Sequence, residues 1–267
     1  MDLLKNIVAG CGAVSVLVFT ALGAQAAEAE SQPNPWFGKV AAGLVATSGN
    51  AESRSQNAEY ELRYGREDAL WELSSRGALL QVRSEVQNTD ADGEVRSDQQ
   101  TTAENYRLDV RAERRVNEQN YVFAEAEYFK DLFASIRTST TQTLGYGRRL
   151  LNTDTTSFDL ELGAGARQQE LQATRDSEDE FVGQLTARLS WDPHERTSLT
   201  QRVTVQSGSE NTVSESQTRI KFSVIGALWT QLGLDVRHNS QVSEGLESTD
   251  TRSSVSVLYE FGAAGGS

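Results

Sequence analysis

From Trp36 onward the apolar residues return at every second position, a period that a strand satisfies and a helix does not. Phe181, Gly183, Leu185, Ala187, Leu189 and Trp191 alternate with Val182, Gln184, Thr186, Arg188 and Ser190, which puts an apolar set on one face and a mostly polar set on the other. Tyr106, Leu108, Val110 and Ala112 alternate in the same way with Arg107, Asp109 and Arg111, and Val255, Val257, Tyr259 and Phe261 with Ser256, Leu258 and Glu260. Such segments begin near residues 36, 53, 69, 101, 120, 138, 156, 180, 197, 215, 229 and 251. That makes about twelve strands at roughly 20 residues per strand and connection, enough for the ~9–11 residues that cross a bilayer at a tilt. An even number of crossings returns the chain to its starting side.

The connections sort into two lengths. Gly65–Asp68, Val116–Gln119, Leu151–Asp154 and Asp192–Glu195 are tight, whereas Glu85–Asp98, Gln172–Asp179, Ser207–Val213 and Gln241–Asp250 are longer and polar. Short turns on one side and long loops on the other are the plan of an outer-membrane barrel. Trp36, Tyr64, Trp71, Tyr121, Phe158, Trp191, Tyr259 and Phe261 fall at the short-turn ends, where an aromatic girdle is expected, and Tyr128, Phe129 and Phe133 at the opposite rim. The fold class that follows is all-β, an antiparallel transmembrane β-barrel of about 12 strands over residues 36–261. A hydrophobic fraction of 37% excludes a helical membrane bundle and leaves this barrel open, because its wall needs an apolar residue only at alternate positions. The competing reading is a soluble periplasmic β-barrel or sandwich with the apolar faces turned inward. Twelve strands would enclose more space than the Ala, Gly and Leu of those faces can fill.

The first 26 residues differ in kind. Lys5 precedes an apolar run from Ile7 to Leu22, and Ala24-Gln25-Ala26 gives the small-x-small pattern at which a signal peptide is cleaved. Residues 27–35, with Glu28, Glu30, Pro33 and Pro35, read as a flexible leader, and residues 262–267 as a short tail. Cleavage after Ala26 removes Cys11, the only cysteine, so the exported chain has neither a disulfide nor a thiolate for a metal. A formal charge of -13 offers no basic field for a phosphate backbone, which argues against a nucleic-acid partner. The expected surroundings are outer-membrane lipid and the outer-membrane assembly machinery, with the bacterial outer membrane as location.

The segment Trp36-Phe37-Gly38-Lys39-Val40-Ala41-Ala42-Gly43-Leu44-Val45-Ala46-Thr47-Ser48-Gly49-Asn50-Ala51-Glu52 combines Trp-x-Gly, a glycine-spaced strand and Thr-Ser-Gly-Asn at the first outer turn. In this it resembles the bacterial family called domain of unknown function 481, whose members are described as candidate salt-induced outer-membrane proteins. The overall plan is similar across roughly residues 36–261, the later strands in pattern more than in letters. The resemblance implies a porin-like barrel in a Gram-negative envelope and a link to salt or envelope stress. It brings no catalytic residues. One departure is that Phe261 is followed by Gly262-Ala263-Ala264-Gly265-Gly266-Ser267, whereas such barrels usually end on an aromatic residue.

The charged residues fall on the faces opposite the apolar ones. Glu59, Glu61, Arg63, Glu72, Arg76, Arg107, Asp109, Arg111, Glu125, Glu127, Asp159, Glu161, Arg167, Arg188, Arg202, Lys221, Asp235 and Arg237 all have lumen parity. They either line a polar pore and set its ion preference, or neutralise one another and plug a narrow barrel; the alternation of sign on adjacent strands favours the second. The chemistry-bearing exception is His238-Asn239-Ser240 at the outer end of a strand, a His-x-Ser pair of the sort outer-membrane lipid hydrolases carry. Glu247 or Asp250 would have to orient the histidine. His194 reads as an exposed turn residue, and Glu85–Glu94 misses the carboxylate spacing of a calcium loop. No cofactor or metal motif is present in the sequence. The expectation is a structural barrel or a narrow small-solute pore, with a lipid hydrolase as the enzymatic alternative.

Overall fold

The computed structural model describes residues 35–47, 53–65, 70–89, 95–134, 136–172, 174–242 and 247–262. The segment read as a signal peptide, nearly all of the leader, the Ser48–Glu52 end of the family-like motif, the tip of the Glu85–Glu94 segment and the tail beyond Gly262 lie outside these residues. The described chain forms twelve strands: β1 (Trp36–Thr47), β2 (Ser53–Tyr64), β3 (Trp71–Thr89), β4 (Val95–Arg115), β5 (Asn120–Asp131), β6 (Ile136–Asn152), β7 (Thr156–Leu171), β8 (Ser177–His194), β9 (Thr197–Ser207), β10 (Thr212–Ile225), β11 (Leu228–Asn239) and β12 (Thr249–Gly262). Each pairs antiparallel with its sequence neighbours, and β1 closes the ring against β12. Closure leaves no exposed sheet edge, the condition a sheet must meet to stand in hydrocarbon.

The alternation in sequence becomes the two faces of the wall. Leu44, Leu144, Leu162, Phe181, Val255 and Val257 point outward and are exposed, while Glu61, Asp109, Arg111, Glu161, Arg167 and Thr186 point inward and are buried. Apolar outside and charged inside is the inverse of a soluble barrel, and it makes this a transmembrane β-barrel. Strand starts lie close to the periodicity, with one clear difference. The segment Glu85–Asp98 is not a loop: β3 and β4 continue as a paired hairpin from Glu85↔Gln99 to Thr89↔Val95. Its polar composition hides two strands, because strands that rise beyond the apolar band have no need of an apolar face.

The aromatic girdle also differs in part. Trp36 and Tyr64 pack with tilted rings at 4.8 Å on the outer surface, and Tyr259 and Phe261 stack at 6.4 Å. Tyr121 and Phe129, however, are 3% and 5% exposed and face the lumen. Position along a strand fixes the height of a ring and parity fixes its side, and these two have lumen parity. Glycines of β6 make room for Tyr121 and for the equally buried Phe123. A Cβ at Gly147 would lie 2.1 Å from the Tyr121 ring, and one at Gly145 2.4 Å from that of Phe123, so the rings lie flat over bare backbone. At the closing seam, hydrogen-bonded pairs run only from Phe37↔Gly262 to Ala42↔Val257. Beyond them the Asn57 amide of β2 passes over Gly43 of β1 and donates to Ser256 Oγ of β12 at 2.8 Å, a side-chain tie across the strand between them.

Candidate functional site: the charged lumen

Register sets which charges meet. One hydrogen-bonding row of the inner face runs Lys39↔Glu61↔Arg76↔Asp109↔Glu127↔Thr141↔Arg167↔Glu180 across β1 to β8. Another runs Arg149↔Asp159↔Arg188↔Arg202↔Gln217↔Asp235↔Arg252 across β6 to β12. Barrel strands are tilted, so each row climbs the wall as it goes round, and its charges are reached at successive depths.

Three charge clusters fill much of the interior. In the first, the fully buried Glu161 accepts from Arg111 Nη2 at 2.8 Å and from Tyr121 Oη at 2.9 Å, and also meets Arg188. Arg111 donates to Glu125 at 2.8 Å and lies 4.0 Å over the Phe123 ring. Asp159 takes Arg149 at 3.2 Å and Arg188 at 3.5 Å. In the second, Glu215 holds Arg107 at 2.6 Å and Arg237, and both guanidinium groups lie over Phe129, at 5.3 and 4.3 Å. In the third, Arg219 bridges Asp235 at 2.5 Å and Glu59 at 3.1 Å. Lys221 pairs with Glu260 at 2.5 Å, and Lys39 with Glu61 at 2.7 Å. The inward aromatics, which sequence reading set in the girdle, are thus platforms for arginine. Only strict parity counting would have found them.

Beside these clusters runs a cavity of about 450 Å³. Its lining includes nine basic side chains (Lys39, Arg63, Arg76, Arg107, Arg111, Arg149, Arg188, Arg202 and Arg219) and nine acidic ones (Glu59, Glu61, Glu72, Asp109, Glu113, Glu125, Glu127, Asp159 and Glu215). Of the residues assigned lumen parity by sequence, Glu161, Arg167, Lys221, Asp235 and Arg237 lie off this cavity and are engaged in the ion pairs around it. Four lining charges stand apart: Glu72, Arg76, Asp109 and Glu127 make no hydrogen bond or ion pair among the described residues. The cavity is off-centre. The β5–β7 side is solid, with Tyr121, Phe123, Thr141, Thr143 and Arg167 all buried, and the open space runs along β2–β4 and β8–β10.

At the outer mouth the turn between β9 and β10 folds inward. Arg167, 1% exposed, donates to Glu180 through Nε at 3.0 Å and to the Asn211 carbonyl at 2.5 Å. Glu180 also accepts from the Glu210 N–H at 3.0 Å. It stands next to Phe181, which is 88% exposed, and against the mouth turn. Burial raises its carboxyl pKa, but the Glu210 and Asn211 N–H groups and the Arg167 guanidinium outweigh this and hold it below its ordinary value.

The structure does not bring His238 and Ser240 together. His238 Nδ1 shares a hydrogen bond with Thr249 Oγ1 at 2.9 Å. Ser240 Oγ donates to Asn211 Oδ1 at 3.1 Å and accepts from the Thr212 N–H at 2.8 Å, so it serves to fasten the mouth turn. Asp250 pairs in register with Arg237, a residue of opposite parity to His238. His194 is exposed at the end of β8 and accepts from the Arg196 N–H at 3.2 Å. Among the described residues no group of three His, Cys, Asp or Glu side chains is arranged to hold a metal ion.

Residues 40–261 match the family described as Protein of unknown function, DUF481. YdiY of Escherichia coli (strain K12), described as an uncharacterized protein, is 26% identical over 232 residues, which is 86% of this chain and 85% of that relative. Among solved structures, the NanC porin superposes with a TM-score of 0.50 over 84% of this chain and 98% of its own, at 9% identity. At that identity the likeness is one of fold.

Proposed function

Since the chain belongs to the family Protein of unknown function, DUF481, which assigns no activity, we propose its function from the barrel itself: a narrow small-solute pore in the bacterial outer membrane. The observation that carries this reading is the cavity of about 450 Å³, lined by equal numbers of acidic and basic side chains within a closed wall that is apolar outside. Water-filled lumens are polar and lipid-facing walls apolar. The fold it shares with a porin agrees with this. The aromatic pairs Trp36–Tyr64 and Tyr259–Phe261 suit a headgroup boundary, and the exposed Leu, Val and Phe side chains between the rims suit outer-membrane lipid and insertion by the assembly machinery. A signal peptide removed after Ala26 and a link to salt or envelope stress belong to the same proposal. They rest on the sequence and on the family-like opening.

Planar-bilayer recording tests the pore. Discrete steps in potassium chloride are expected, small because the clusters around Glu161 and Glu215 crowd the lumen; a folded barrel that gives no steps refutes it. Fractionation tests the location, with the protein expected in the outer-membrane fraction and migrating differently in unheated gels. A second reading, a barrel plugged by its ion pairs, is favoured by the burial of Glu161 and Arg167, 0% and 1% exposed. It predicts the same fractionation and no conductance.

A further inference from the structure

Most lumen charges are spent on one another, and the exceptions are not scattered. Asp109 faces Arg76 across the β3–β4 register and Glu127 across the β4–β5 register, so two like charges lie side by side with an arginine next to them. Asp109 is 7% exposed and lines the cavity, yet its carboxylate has no hydrogen bond or ion pair among the described residues. Leaving a buried carboxylate uncompensated is costly.

A basic counterpart stands close by. Arg202 projects from β9, six strands from β3 and therefore on the opposite wall. Among the described residues its one ion pair is to Glu125 at 3.5 Å, and Glu125 is already taken by Arg111 at 2.8 Å. Arg76 lines the same cavity from β3, so the two basic side chains border it from opposite walls. Arg188 adds a like charge beside Arg202 in the β8–β9 register. The depth is fixed by Glu125, which Arg202 reaches and which precedes Glu127 by two residues on β5. Arg202 therefore stands about one step of the strand to the periplasmic side of Glu127.

Arg76 without a partner and Arg202 with one long ion pair call for an anionic group, and the unpaired Asp109 and Glu127 for a cationic one. Together in a cavity of about 450 Å³, they are complementary to both ends of one small molecule. From this geometry we infer that the middle of the lumen is a subsite for a small zwitterion, a solute carrying a carboxylate and an ammonium group, with Arg76 and Arg202 on the carboxylate and Asp109 and Glu127 on the ammonium. The inference rests on the pore reading and names its solute class. A simple ion satisfies one pair and leaves the other, whereas a zwitterion satisfies both without bringing net charge into a balanced lumen.

The test is swelling of proteoliposomes containing the full-length barrel, in glycine and in its uncharged isomer glycolamide. Equal size makes charge the only difference between the two. Glycine is expected to enter several-fold faster. Arg76→Gln/Arg202→Gln and Asp109→Asn/Glu127→Gln should each bring the ratio of glycine entry to glycolamide entry down to about one. The wild-type comparison needs no variant to fold. Equal rates for the two solutes refute the zwitterion subsite and leave the pore intact. No entry of either refutes the pore, and this inference with it. A glycine preference that survives both double variants, each verified as folded by its unheated gel shift, refutes the assignment to these residues.

Discussion

Glu161→Gln is the sharpest probe of whether the lumen is packed or wet. The substitution keeps shape and leaves an amide oxygen for Tyr121, so what it removes is one charge at a site with no solvent exposure. Arg111, held at 2.8 Å, and Arg188 both lose their shared partner. Removing one side of a buried ion pair costs about 3–5 kcal/mol, since the other charge stays buried and unpaired. Here the residue is partly relieved. Arg111 keeps Glu125 at 2.8 Å, and Arg188 keeps Asp159 at 3.5 Å. The lower end, about 3 kcal/mol, is therefore expected, more than a hundredfold in the unfolding constant at ~1.4 kcal/mol per tenfold. Glu113→Gln is the control: Glu113 is 20% exposed, pairs with the same two arginines at the longer distances of 3.1 and 3.7 Å, and should cost less than Glu161→Gln. Urea unfolding of the barrel in lipid vesicles, followed by tryptophan fluorescence, measures both. If Glu161→Gln costs no more than Glu113→Gln, water reaches Glu161 and the packed cluster on the β5–β7 side is wrong. A double-mutant cycle with Arg111→Met then separates the pair from its surroundings.

Gly147→Ala sets a methyl 2.1 Å from the Tyr121 ring and should destabilise the barrel by about 1–3 kcal/mol in the same urea assay, with Gly183→Ala, where nothing lies within 4 Å, as the neutral comparison. His238→Ala and Ser240→Ala should leave phospholipid turnover at the level of protein-free vesicles, as should the wild type; turnover lost in either variant would restore the hydrolase. The Ser240 change should instead loosen the mouth turn, because Asn211 and Thr212 lose their partner. That turn should also respond to acid. The folded Glu180 pKa lies below its ordinary value, so its stabilising effect is present above that ordinary value and is lost as pH falls through the lowered one. A spin label at residue 209 should be immobile at neutral pH and become mobile in that acidic window; no change in mobility there would show that Glu180 does not hold the turn.

How much of this the sequence carries depends on the range of the interaction. Alternation is local, and Phe181 to Trp191 alone fixes which side chains of β8 meet lipid and which meet the lumen. Parity is equally local, which is why Arg107, Asp109 and Arg111 can be set inside from their neighbours. Pairing is not. Arg107 and Glu215 stand 108 positions apart, and Arg219 and Glu59 160. Which of the lumen charges meet is decided by the stagger of twelve strands around a closed ring, to which every connection contributes. For the same reason the unpaired set of Arg76, Asp109 and Glu127 is invisible in the sequence, where Asp109 even stands between Arg107 and Arg111 at the same parity. The aromatics show the opposite error. Tyr121 has the strand-end position of a girdle residue, and only its parity, shared with Glu125 and Glu127, says that it turns inward to an arginine.

Net charge misleads about the lumen in a further way. The chain carries 25 basic and 38 acidic residues, which suggests an acidic, cation-preferring channel. The cavity lining is balanced, nine to nine, so the surplus of carboxylates lies elsewhere in the chain. Charges outside the lumen and more than about a Debye length from it, ~8 Å at physiological salt, act on solutes approaching the mouth and hardly at all on those within. Inside, what a solute meets is decided by the few groups left over after pairing. Those are acidic on the β4–β5 wall and basic where β3 faces β9, so the field they make runs between the walls and along the axis, with no net sign to repel a cation or an anion. A lumen of this kind discriminates by the separation of charge within a solute and not by its total.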